Sequence, residues 1–317
     1  MKRYKRFEIY LNSLCNQKCL HCFNGKHFRK SNEGPGFSRI CADMLKMRKQ
    51  GFDWLSFLGG EPTIHPEIIK IVSLAKIMGY RRLMTYSNGL KYSDPDFTAR
   101  IKKAGLTDTC LSVHGHTPGL HEAVTGVPGS FRKVMRAVEN LGEFGINVTL
   151  ILVLNALNKG KLKEILRFYS SKGIKHYMIF FLKYQGRLIE NGPAAKKLMF
   201  RVSELTKTLA GLPALAAKEK IRIHNIEHAP YCVVPENCRT IISGTDYGGA
   251  RMVIQSGELL NISSSHKGYI FKSSCADCRY YSDCPGIDPE YAKIFGLEEF
   301  SPVPRSRRSG RRGVPYH

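Results

Sequence analysis

The stretch LCNQKCLHCF, Leu14–Phe23, places Cys15, Cys19 and Cys22 in the spacing C-x3-C-x2-C. Three thiols this close can hold a metal, yet no fourth stands beside them. A closed structural zinc site takes four protein ligands in a tetrahedron, and an iron–sulfur cubane normally takes one thiolate per iron. Three thiolates without a fourth point to a cluster with one iron left open to a ligand that is not protein. The alternatives are buried core cysteines, since free cysteine behaves as a small hydrophobe, and disulfides. The basic start MKRYKR (1–6) is followed by no apolar stretch of signal-peptide length. Without an oxidising compartment, clustered cysteines read as metal ligands, and the expected location is cytoplasmic.

Working outward, the chain has 317 residues, 43% hydrophobic and 24% charged. This is ordinary for a globular protein with one large core and a smaller appended unit. No apolar run reaches the roughly 18 residues of a membrane helix. The net charge of +23 is unusual. Five arginines lie from Arg305 onward and four basic residues in the first six, so +14 remains on the body. Such a field favours an anionic partner, nucleic acid included; general solubility is the bland alternative. The tail 301–317, basic and without apolar periodicity, is expected to be disordered.

From residue 7 to about 182, strand-like and helix-like segments alternate. Strands are expected at 7–11, 54–58, 82–86, 109–113, 147–154 and 175–182. Helices are expected at 38–50, from Pro66 to 78, 96–104, 131–144 with Ser130 as N-cap, and 162–171. This is an α/β fold with a parallel sheet wound into a full or partial barrel. In such barrels the chemistry sits at the carboxyl ends of the strands. The cysteine loop, GGEP (59–62), SNG (87–89) and SVHG (112–115) each follow an expected strand, so all four should meet on one rim.

The cysteine trio followed by GGEP on successive βα loops resembles the radical S-adenosylmethionine (SAM) enzymes, with local matches over roughly residues 7–190. The resemblance implies a partial (β/α)6 TIM-like barrel and a [4Fe–4S] cluster on Cys15, Cys19 and Cys22. The open iron would bind SAM through its amino and carboxylate groups, and reductive cleavage would give a 5′-deoxyadenosyl radical. It further implies that His21 lies by the adenine and that Gly59, Gly60 and Glu61 receive the SAM amino group. Ser87, Asn88 and Ser112 would line the cofactor. Plain packing for His21, a simple strand exit for the glycines and backbone capping by Ser112 are the alternatives. Where relatives place a basic residue near the SAM carboxylate, this chain has Thr125. Asn158 and Gly186-Arg187 fall where relatives keep similar residues.

Of the other seven cysteines, Cys41 and Cys110 lie singly inside expected elements and read as core. Cys232 and Cys238 are spaced C-x5-C, and Cys275, Cys278 and Cys284 run C-x2-C-x5-C. Zinc is the generic alternative for such groups. After this barrel they resemble the SPASM/twitch extension with auxiliary [4Fe–4S] clusters, and Ile254–Leu259 resembles its small hairpin. The full pattern has about seven cysteines; here Asp288 replaces one. One auxiliary cluster is expected on Cys275, Cys278 and Cys284, with Cys232 or Cys238 as fourth ligand and the other spare, as a hydrogen donor or inert. The expected division is a barrel at 1–215, the auxiliary region at 216–300 and the tail at 301–317.

The resemblance implies an enzyme acting on a peptide by crosslinking, epimerisation or oxidation. The alternatives are an anionic small molecule, nucleotide or RNA as substrate, or a non-catalytic iron–sulfur module holding nucleic acid. With the first strand starting at Phe7, no N-terminal peptide-recognition domain is expected. A reductant such as flavodoxin or ferredoxin is the implied partner.

Overall fold

The computed structural model describes residues 5–25, 34–241, 251–255, 258–261 and 268–305. Nine strands form one sheet in the order β7-β6-β5-β4-β3-β2-β1-β8-β9. The first seven are β1 Arg6–Tyr10, β2 Trp54–Leu58, β3 Arg82–Ser87, β4 Asp108–Val113, β5 Asn147–Val153, β6 His176–Phe180 and β7 Arg222–Glu227. Each runs parallel to its neighbours, giving a partial TIM-like barrel. The expected six strands are all present, and β7 is a seventh that the sequence reading missed. β8 Arg251–Gln255 pairs parallel to the free edge of β1, and β9 Glu258–Asn261 returns antiparallel to β8. The hairpin expected at 254–259 is thus present, although Ser256 and Gly257 lie outside the described residues. The sheet runs on across residue 215.

Helices α1 Phe37–Lys49, α2 Ile68–Ile77, α3 Pro95–Ala104, α4 Pro118–Thr125, α5 Ser130–Glu143 and α6 Leu162–Ser171 connect the first six strands. After β6 come α7 Arg187–Glu190, α8 Pro193–Lys196, α9 Thr206–Ala210 and α10 Leu212–Lys218; α11 Pro289–Phe295 follows the last cysteine. Strands β1 to β7 are largely buried on both faces, as parallel sheets require. Phe7 and Ile9 are fully buried in the helix-covered core. On the opposite face Met84, Cys110, Ile151 and Met178, one from each of β3 to β6, fill the lumen. In α5, Val134, Ala137, Val138 and Leu141 recur at helical spacing and are buried. Each fully buried aliphatic side chain stabilises the fold by about 1.5–3 kcal/mol.

Two local expectations are corrected. Ser130 does not cap α5 from outside: Gly129 holds that position in a left-handed conformation (φ 76°), which glycine adopts without strain. The Ser130 hydroxyl instead bonds the Thr125 hydroxyl at 2.9 Å. Helix α4, unforeseen in the sequence, is capped by Thr117 and led by Pro118. Among the described residues no helix is long and apolar enough to cross a membrane. The tail beyond Arg305 lies outside the described residues.

Candidate active site

All four rim loops leave the carboxyl ends of adjacent strands and are held together by hydrogen bonds. The cysteine loop and the β2 exit are threaded backbone to backbone. Gly60 N–H donates to Asn12 O at 2.9 Å, and Glu61 N–H to Leu14 O at 2.7 Å. Asn12 Nδ2 donates to Glu61 O at 3.0 Å and Asn24 Nδ2 to Gly59 O at 3.3 Å. A Cβ on Gly59 would lie 2.5 Å from Asn12 O, and one on Gly60 would lie closer still to Leu14 O. The glycines therefore admit the β1 exit.

Glu61 is buried (1% exposed) and collects donors from two loops. Its Oε1 accepts from Thr63 N–H (3.1 Å), Thr63 Oγ1 (2.5 Å) and Ser87 Oγ (2.8 Å). Oε2 accepts from Asn88 N–H at 2.7 Å. Burial raises its pKa while these four donors act against the rise. Asn88 carries the network on, donating from Nδ2 to Asn16 Oδ1 at 2.7 Å and towards Cys15 Sγ at 3.7 Å. The carboxylate thus fixes the SNG loop, and through it Cys15, to the β2 exit.

Cys15, Cys19 and Cys22 are half-exposed on this loop. Gln17 N–H donates to Cys15 Sγ (3.4 Å), and Cys19 Sγ donates to Gln17 Oε1 (3.2 Å). The far side of the loop rests on the β6 exit. Arg187 N–H donates to Cys22 O at 2.9 Å, and Gly186 (φ 57°) has no room for a side chain beside the Phe23 carbonyl. Gly186-Arg187 is therefore a docking point for the cysteine loop.

His21 Nε2 lies 3.4 Å from His114 Nδ1 of SVHG, and burial lowers its pKa to about 4. His114 N–H donates to His121 Nδ1 at 3.4 Å, and burial also holds His121 down to about 4. His121 Nε2 is buried without a hydrogen-bond partner among the described residues. Asn158 Nδ2 donates to His114 O at 3.2 Å, tying the β5 exit to the same place. Ser112 is half-buried two residues beyond Cys110 on β4, so it shares the lumen face. Thr125 O accepts from Lys18 N–H at 3.0 Å, joining α4 to the cysteine loop. Asn12, Thr63, His114 and His121 escaped the sequence reading. Of these His114 lies inside SVHG and Thr63 directly follows GGEP, whereas Asn12 and His121 adjoin no motif.

The second cysteine group divides. Cys232, Cys275, Cys278 and Cys284 line one cavity with Tyr231 and Phe300. Cys238 is elsewhere, fully buried, with Sγ donating to Leu209 O at 3.0 Å. Backbone N–H groups aim at the cavity sulfurs: Val303 at Cys278 (3.3 Å), Ser301 at Cys232, and Gly286 and Tyr231 at Cys284. Burial pushes the Cys232 thiol up to about 12 and raises Cys284. A bound cation reverses that preference by stabilising thiolate. All ten cysteines are free of disulfides. Among the described residues no three Cys, His, Asp or Glu side chains converge as around a single ion. Asp288, where the full pattern has a cysteine, caps α11 and accepts from Tyr184 N–H at 3.1 Å.

The chain resembles known proteins in sequence and in fold. It is 28% identical over 156 residues to the mycofactocin maturase MftC of Mycobacterium ulcerans, covering 49% of this chain and 41% of that protein. It is 27% identical over 181 residues to the GTP 3′,8-cyclase of Haemophilus influenzae, covering 55% and 52%. The chain spans about half or less of the curated relatives it matches. Among solved structures, Streptococcus suis SuiB bound to precursor peptide SuiA superposes with a TM-score of 0.63 at 17% identity, covering 92% of this chain and 67% of that one. Native anSMEcpe with bound AdoMet gives 0.66 at 16%, covering 90% and 89%. A profile described as the Radical SAM superfamily matches residues 9–169, from β1 into α6 and through all four rim loops. Half of the chain carries that match, and the chain belongs to the radical SAM superfamily.

Proposed function

We propose that Cys15, Cys19 and Cys22 hold a [4Fe–4S] cluster and that SAM binds beside it against Gly59, Gly60, Glu61, His21, Ser87, Asn88 and Ser112. Radical SAM enzymes bind that cluster and SAM. The observation that carries the assignment is the Glu61 network, which fixes Cys15 relative to the exits of β2 and β3. The three soft thiolates fit the cluster, and Glu61 Oε2, which accepts a single bond in this network, has lone-pair capacity towards an ammonium. The chemistry supplied when both are bound is one-electron cleavage of the sulfonium to a 5′-deoxyadenosyl radical that abstracts a substrate hydrogen.

The protein orients and shields. Neutral His21 and His114 present uncharged nitrogen beside the adenine position, and the packed lumen below limits entry of water from beneath. Cys232, Cys275, Cys278 and Cys284 are the four ligands of an auxiliary [4Fe–4S] cluster, with Cys238 in the core. Four cysteines around one cavity suit a cubane, each of whose thiolates binds a different iron. The radical SAM barrel then runs to β7, past the boundary expected at residue 215, and the auxiliary region takes up the segments after Glu227.

The substrate is a peptide. A four-cysteine auxiliary site leaves no iron for direct ligation of a small molecule, and SuiB, similar in fold, is described with its precursor peptide. An anionic nucleotide is the second reading, favoured by the GTP 3′,8-cyclase relatives and the positive body charge. The test is anaerobic reconstitution with dithionite and SAM. We expect roughly eight irons per chain and 5′-deoxyadenosine by mass spectrometry, lost in Cys15→Ala. Product formation equal to that of the Cys15→Ala control rejects the assignment.

A further inference from the structure

Because β1 to β7 are parallel, their amino ends share one face, opposite the rim that carries the cysteine loop. That face is built from Lys5 and the six connections 46–54, 76–82, 102–108, 143–147, 171–176 and 218–222. Together they hold fourteen lysines and arginines against four acidic residues, a net +10. The rest of the chain holds 35 lysines and arginines against 22 acidic residues, so basic residues outnumber acidic ones by 3.5 to one on this face and by about 1.6 to one elsewhere.

The connections form a continuous surface. Arg48 Nε donates to Gly79 O (3.2 Å), and Arg81 N–H to Asp53 O (2.8 Å). Arg82 pairs with Asp108 (2.7 Å), and Lys102 Nζ donates to Gly145 O (2.6 Å). On the other flank Arg222 N–H donates to Lys175 O at 2.7 Å. Neighbouring strands lie about 4.8 Å apart, so the seven strand starts trace an arc of ~29 Å.

Helix termini explain only part of this. Cations in a last turn complement the helix dipole, at about 0.3–1 kcal/mol each. Lys46, Arg48 and Lys49 of α1, Lys76 of α2, Lys102 and Lys103 of α3 and Lys218 of α10 fall in that class. Arg81, Lys175, Lys220 and Arg222 sit beyond the helices or at strand starts and are exposed, and Lys172 is the exposed C-cap of α6. None of these five has an ion pair among the described residues, and like charges gathered this way repel one another in the folded state. Their placement therefore works against stability unless an anion is bound.

We propose that this amino-end face binds the phosphate backbone of a nucleic acid without reading its bases. Exposed lysine and arginine on five of the six connections, over some 29 Å of arc, match a polymer that carries one charge per nucleotide. An acidic electron-donor protein fits the place less well. Docked there, it would lie a full strand length, about 17–20 Å, from the cysteine loop. The proposal stands apart from the radical chemistry and does not rest on it.

The experiment is fluorescence anisotropy of the reconstituted full chain with a mixed-sequence 20-nucleotide single-stranded RNA, titrated over salt concentration. Lys103→Glu, Lys172→Glu, Lys175→Glu and Lys220→Glu are combined in one variant, whose folding is checked by circular dichroism and by retained 5′-deoxyadenosine formation. Each neutralised phosphate contributes about 0.7 to the log–log salt slope on single strands. The variant should therefore lose roughly 3 units of slope and at least tenfold in affinity. Replacing Arg132 and Lys133, at the opposite end of the barrel, should change neither. Unchanged binding in the fourfold variant overturns the proposal. So does loss of binding on replacing only the arginines after Arg305, or tight binding to phosphatidylserine vesicles with no measurable binding to RNA.

Discussion

Gly60 has a carbonyl where a side chain would begin. Leu14 O occupies that place and cannot give way, because Leu14 also accepts from Glu61 N–H. Gly60→Ala should therefore displace the cysteine loop from the β2 exit, at a cost of about 1–3 kcal/mol for overpacking. The expected result is loss of roughly four irons per chain, with the auxiliary set of about four retained. Full iron content in the variant contradicts this reading of the loop. The GGEP sequence alone disclosed that glycine was needed, though not that the neighbouring strand exit is what needs it.

His121 supplies a second test at this scale. Its imidazole is buried neutral, facing His114, Phe131 and the adjoining Glu122, with a pKa lowered to about 4. In the unfolded chain it titrates near 6.5, so the unfolded state takes up the proton first. The stability held by the neutral ring is complete above pH 6.5 and is lost as pH falls towards 4. The loss is about 1.4 kcal/mol per pH unit, or about 2 kcal/mol from pH 6.5 to 5. His121→Gln, which keeps an acceptor for His114 N–H, should show a shallower fall of the urea midpoint over that interval. Parallel curves for the two proteins reject the assignment.

At the level of elements, the segments around the second cysteine group decide which thiols act together. Cys232 follows β7 in a short turn facing 275–284, whereas Cys238 points back to α9 and bonds Leu209 O. Cys232→Ser should lower the iron content by about four per chain. Cys238→Ala should leave it unchanged and cost about 1 kcal/mol for the lost hydrogen bond. The reverse pattern would exchange the two roles. Spacing could not make this choice, because C-x5-C offers both thiols equally. The separation depends on where β7 ends, and β7 itself was not legible: in RIHNIE the burial alternates only over the first residues, and the strand's context comes from pairing with β6. The first six strands were legible because short apolar runs end at glycine or at polar loops, as at Trp54–Leu58 before Gly59.

For the molecule as a whole, alternation of strand and helix determined the sheet's direction, and the direction placed every motif on one rim. What the pattern could not convey was long-range closure. The β8–β9 hairpin resembles an appendage in sequence, yet it lies against β1 in the barrel sheet. Glu61 shows the same limit at close range: a conspicuous carboxylate in the sequence serves Ser87, Asn88 and Thr63 in the fold.

That pairing sets a schedule for synthesis. β1 carries the cysteine loop, and its ladder joins Ile9 to Ile254. At 5–20 residues per second, the ~200 residues between β2 and β8 take about 10–40 s to emerge from a ribosome. Throughout that interval the strand that presents Cys15, Cys19 and Cys22 has only one of its two neighbours. Such distant pairings also form late, because loop closure must precede them. Oxygen or stray metal consequently has its easiest access to the three thiols before β8 has paired with β1.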